Sequence, residues 1–127
     1  KVIRKSLESH YKVIRQSKIA LNSYGDINAC DGTVRPLCGN IRTFEVTGNE
    51  SCLLTENADN INEYFKPDEE VVTFSDPEEL VEKARYLLEN EPQRVEIARR
   101  GRLRAYKDHS LSKRAPQLQD CLQQILR

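Results

Sequence analysis

An α/β fold with a small parallel sheet is the architecture these 127 residues predict. Three observations lead to it. Short apolar runs at 18–23, 51–55 and 71–74 have strand composition. Segments of helical periodicity lie between and after them. Helix-start residues, Asn40 and Ser75-Asp76-Pro77, open two of those segments. Strands that alternate with helices need crossover connections, and these make the sheet parallel.

Taken in order, residues 4–16 read as a helix, with Leu7, Tyr11 and Ile14 on one face. Lys18 to Ser23 reads as a buried strand that ends at Tyr24-Gly25-Asp26. Residues 25–39 form a long loop rich in turn formers, a length that points to function or mobility. A short helix follows from Asn40 to Gly48, where a left-handed glycine is expected to end it. It feeds the strand 51–55, and residues 59–65 make one or two helical turns. Val71 to Phe74 is the third strand. Ser75-Asp76-Pro77-Glu78-Glu79 combines a cap, a first-turn proline and acids that suit the helix dipole. Leu80, Ala84, Leu87 and Leu88 make the apolar stripe of that helix. Pro92 opens the next helix, in which Gly101 either permits close packing or breaks the chain locally. Ser110 or Ser112 precedes a last helix, where Pro116 must lie in the first turn or kink it. The result is a partial Rossmann-like three-layer domain with C-terminal helices. In such sheets ligands bind beyond the carboxyl ends of the strands.

The chain has room for one domain over 1–127 and carries 20 Lys/Arg against 20 Asp/Glu. With no global basic field, nucleic acid is not an expected partner. No apolar run reaches the roughly 20 residues of a membrane span, and no leader pattern is visible, so a cytoplasmic setting is expected. The four cysteines lack zinc-site spacing. Cys52 and Cys121 sit in apolar patterns and are expected to be buried, while Cys30 and Cys38 share a loop and are read as free thiols or as a pair. His10 and His109 are expected to be solvated at helix edges. The sequence has no methionine and starts inside a helical pattern, which reads as a piece of a longer protein.

The segment Gly39 to Gly48 is the candidate binding element. Asn40 caps a helix whose amino end carries free N–H groups and partial positive charge. Arg42 stands in that first turn, where the dipole disfavours a cation unless an anion is bound as well. The element therefore points to a phosphate or a carboxylate, and phosphate suggests a nucleotide. A surface ion pair between Arg42 and Glu45, three residues on, is the competing reading.

These residues resemble a known family. Ser17-Lys18-Ile19-Ala20-Leu21-Asn22, Asn40-x-Arg42-x-Phe44-Glu45-x-x-Gly48 and Leu53-Leu54-Thr55 are similar to the C-terminal half-domain of GT-B glycosyltransferases, in the branch of the CgeB-like spore-maturation proteins. Glu63 to Val72, Pro77-Glu78-Glu79-Leu80 and Arg94-x-x-x-Ile97-Ala98-x-x-Gly101 extend the resemblance over roughly 9–110. It implies a lobe that binds a nucleotide-diphosphate-sugar donor, partnered by an N-terminal lobe of the same protein. Arg42 would face the diphosphate and Glu45 the ribose, with Thr47 and Gly48 behind them. Gly25 and Asp26 would line the same cleft, although Asp26 also reads as a plain turn residue. No cofactor and no catalytic metal are implied, and no catalytic residue is assigned. Related retaining enzymes carry a second glutamate eight positions before Glu45, where this chain has Leu37. A non-catalytic binding module and a GT-B-like nucleotide-sugar epimerase therefore stand as alternatives.

Overall fold

The computed structural model describes residues 7–24 and 37–126. Along the chain run α1 (Leu7–Gln16), β1 (Ile19–Asn22), α2 (Ile41–Gly48), β2 (Cys52–Glu56), α3 (Ile61–Tyr64), β3 (Val72–Phe74), α4 (Pro77–Glu89), α5 (Glu91–Asp108) and α6 (Leu111–Ile125). This is the predicted order. The three strands form one parallel sheet in the order β1-β2-β3. Ile19 pairs with Cys52 and Asn22 with Thr55, while Leu54 pairs with Val72.

The sheet is covered on both faces at β2 and β3, which is why these strands read as continuous apolar runs rather than alternating ones. By contrast, β1 is not the buried strand expected, since Leu21 is half exposed at the sheet edge. Leu53 faces one layer with Ile14, Val46, Ile61, Phe65, Val71 and Ala105. Its neighbours Cys52 and Leu54 face the other, with Val72, Leu87, Ile97 and Ala98. Helix α5 thus contributes to both layers, through Ile97 and Ala98 to one and Ala105 to the other.

Local chemistry explains several boundaries. Asp76 caps α4 by accepting from the Glu79 N–H at 2.8 Å, and the Glu79 carboxylate accepts from the Ser75 N–H at 2.7 Å. Buried Arg94 donates to the Leu87 carbonyl at 2.7 Å, so α5 closes the carboxyl end of α4. Gly101 does not break α5. A Cβ there would stand 2.4 Å from the Glu70 carbonyl oxygen and 3.4 Å from Thr47 Cγ2, so it serves close packing.

Two further expectations are corrected, at Gly48 and Cys121, and of the two readings of Pro116 the first-turn one is excluded. Gly48 belongs to α2 with no positive φ, and the left-handed residue after the helix is Glu50, at φ 60°. Pro116 lies inside α6 beyond the first turn, where it has no N–H for the Ser112 carbonyl. Cys121 is exposed because α6 buries none of its residues, whereas Cys52 is buried as expected and Cys38 is a buried free thiol. Cys30 lies outside the described residues.

Candidate functional site

The carboxyl ends of the parallel strands make a rim of Asn22-Ser23-Tyr24, Glu56-Asn57 and Phe74-Ser75. The amino end of α2 joins it through one buried network. Asn40 Oδ1 accepts from the Thr43 hydroxyl at 2.9 Å and from the Thr43 N–H at 3.3 Å, which caps the helix. Asn40 Nδ2 donates to Asn22 Oδ1 at 3.1 Å, and Asn22 Nδ2 donates to Thr55 Oγ1 at 3.1 Å. The end of β1, the middle of the sheet and the start of α2 are therefore fixed to one another by side chains. Gly39, at φ +145°, makes the turn into the cap. Asn60 holds that turn from α3's side. Its Oδ1 accepts from the Cys38 N–H at 2.7 Å, and its Nδ2 donates to the Cys38 carbonyl at 3.1 Å.

Arg42 lies in the first turn of α2, is exposed, and belongs to none of the ion pairs among the described residues. It does not pair with Glu45. Glu45 Oε2 lies 3.8 Å from His10 Nε2 of α1, with the Glu45 side chain 19 % exposed. Thr47 is buried and donates back to the Thr43 carbonyl at 2.8 Å, so it acts within the core behind the helix. Gly48 ends α2, away from the rim. Gly25 and Asp26 lie outside the described residues. The structure thus joins Asn40 and Arg42 at the rim, sets Glu45 one turn further on, and keeps Thr47 in the core and Gly48 at the far end of α2, away from the rim.

Two further rim groups stand outside the candidate site residues read from the sequence. Glu56 Oε2 accepts from the Ser23 hydroxyl at 2.8 Å and from the Tyr24 N–H at 3.1 Å, which puts a carboxylate between β1 and β2. The Tyr24 hydroxyl is buried beside Cys38, Thr43 and Thr55, yet no contact among the described residues reaches hydrogen-bond geometry. Burial, reinforced by the Cys38 thiol, pushes this phenol up to about 12, so it stays protonated. A polar residue closing an apolar strand, as Asn22 does, was the available sequence signal for the network. Leu37, at the position of the absent glutamate, is 66 % exposed.

Other features resolve as structural. His109 is not a solvated edge residue but is packed among Phe44, Tyr64 and Phe65. The basic run of α5 is matched by acids. Arg99 and Arg100 both bond Glu96, whose carboxyl they hold down at about 2, and Arg102 bonds Glu50. Arg104 turns inward to the Tyr64 carbonyl and to Asp108. A cleft of about 680 Å³ lies at the opposite, amino edge of the sheet. Its arginines are engaged too: Arg15 by Asn49, Arg94 by Leu87 and Glu91, and Arg102 by Glu50. Among the described residues no helix is long and apolar enough to cross a membrane.

The glycosyl transferase-like family matches this sequence over residues 3–120. Comparisons with curated proteins and with solved structures each give no match. Since the family match covers nearly the whole sequence, the chain belongs to the glycosyl transferase-like family.

Proposed function

We propose that this chain is the donor-binding part of a glycosyltransferase, the C-terminal lobe of a GT-B protein of the CgeB-like branch. In this reading it holds a nucleotide-diphosphate-sugar whose sugar passes to an acceptor bound largely by an N-terminal lobe. The observation that carries it is the capped amino end of α2 at the carboxyl rim, with Arg42 exposed in its first turn. Helix N–H groups and an exposed guanidinium at that end are the chemistry that suits a diphosphate. Arg42 neutralises charge as the diphosphate departs, which is stabilisation aimed at the transition state. Glu45 accepts from the ribose hydroxyls, and Asn40 holds the helix end in place. Thr47 stiffens α2 from the core and Gly48 closes it. Cysteine spacing unlike that of a disulfide scaffold suits a cytoplasmic setting.

The test is an NMR titration with UDP, GDP and ADP. Shifts are expected at residues 40–46 with at least one nucleotide, and Arg42→Ala should weaken binding about tenfold or more, as befits a charge-assisted contact. Absence of any perturbation around Arg42 and Glu45 counts against the reading. Exposed Leu37 favours one alternative, a lobe that binds donor without transferring sugar. Product analysis of full-length protein with nucleotide-sugars separates transfer, epimerisation and binding alone.

A further inference from the structure

We propose that His109 is a pH-sensitive latch that holds α6 against the body of the domain and releases it on protonation. His109 caps the carboxyl end of α5, one residue before Ser110 introduces α6. Its ring packs with centroids 5.3 Å from Phe44 and 5.2 Å from buried Phe65. Both ring nitrogens are engaged. Nε2 lies 2.8 Å from the Tyr64 carbonyl oxygen, and Nδ1 lies 2.7 Å from Arg114 Nη2 in the second turn of α6. A carbonyl only accepts and a guanidinium only donates. The proton of the neutral ring is therefore on Nε2, and the lone pair of Nδ1 receives the Arg114 N–H.

This arrangement suits neutral histidine alone. A second proton goes to Nδ1, where it meets the Arg114 N–H directly and sets one cation against another. The surroundings do not offset that change. On α5, Arg104 shares the Tyr64 carbonyl and engages Asp108 at 2.8 Å, with Glu70 at 3.9 Å. On α3 the neighbour is Tyr64, on α2 Phe44, and on α6 Arg114 itself. No carboxylate is among the ring's contacts within the described residues. Among the described residues, Arg114 makes a second tie between α6 and the body of the domain. Its guanidinium lies over the Tyr64 ring at 5.9 Å, and α6 buries none of its residues. Losing the Nδ1 contact therefore frees the helix while the sheet and its layers stay folded. The latch opens when the ring takes its second proton, so acidification releases α6.

Amide hydrogen exchange at about pH 8 and about pH 5.5, corrected for intrinsic rates, tests this; imidazole ¹⁵N shifts report the tautomer. Exchange in α6 should be on the order of tenfold faster at the lower pH, with β2 amides unchanged. His109→Gln keeps an acceptor and a donor but cannot be protonated, and should hold α6 equally at both pH values. Arg114→Gln, which does not touch the core, should leave α6 fast-exchanging and insensitive to pH. Unchanged α6 protection in the wild type overturns the proposal. So does a wild-type pH response retained in either variant, or a ring protonated on Nδ1 at pH 8.

Discussion

Replacing Gly101 with alanine sets two opposed terms against each other. Helix propensity favours alanine by about 1 kcal/mol in a helix interior. Against this, the new methyl would stand 2.4 Å from the Glu70 carbonyl oxygen, a separation real Cβ atoms essentially never show. Relief requires roughly 1 Å of movement, since ordinary carbon contacts lie near 3.5 Å. Neither side yields cheaply. The obstacle is backbone, and it precedes Val71, which is fully buried. If α5 retreats instead, Ile97, Ala98 and Ala105 withdraw from both core layers. Overpacking of this kind costs about 1–3 kcal/mol or more, and with a backbone obstacle we take the upper end. After the propensity gain, the expected net loss is about 2 kcal/mol, or roughly 8 °C in Tm for a chain of this size. Urea unfolding followed by circular dichroism measures it, with an unchanged m-value as the sign that compactness is preserved. Gly48→Ala is the matched control. It adds a methyl to a helix with nothing within 4 Å and should be neutral or slightly stabilising. A Gly101→Ala protein as stable as the wild type would refute the close-packing argument.

Three further outcomes are expected. Asn40→Ala removes the α2 cap and strips buried Asn22 of one partner, so urea unfolding should show a loss of about 2 kcal/mol. Glu96 is held at about 2, below its ordinary carboxylate value, by Arg99 and Arg100. Its contribution to stability is thus complete above about pH 4.5 and fades as pH falls towards 2. Glu96→Gln should flatten that part of the stability–pH curve, with a difference that shrinks in high salt because the site is exposed. Finally, burial pushes the Cys52 thiol up to about 11, only partly countered by Arg94. Peptide mapping after brief thiol alkylation of native protein should find Cys121 modified, and Cys38 and Cys52 modified only after unfolding.

The sequence by itself determined the order of elements and the parallel class, because the signals are local. Asn40 and Asp76 cap with groups three residues away, and each strand's apolar run is long enough to be read alone. The Asn40–Arg42 part of the candidate site was legible for the same reason. What the tertiary structure decided is what depends on neighbours remote in the chain. Gly101 serves packing because Glu70 approaches it, and His109 is packed rather than solvated because α2 and α3 bring Phe44 and Tyr64 to it. Glu45 faces His10 rather than Arg42 because α1 lies alongside α2. Cys121 sits in an apolar pattern yet stays exposed, because periodicity reports which face a helix would bury and not whether anything covers it.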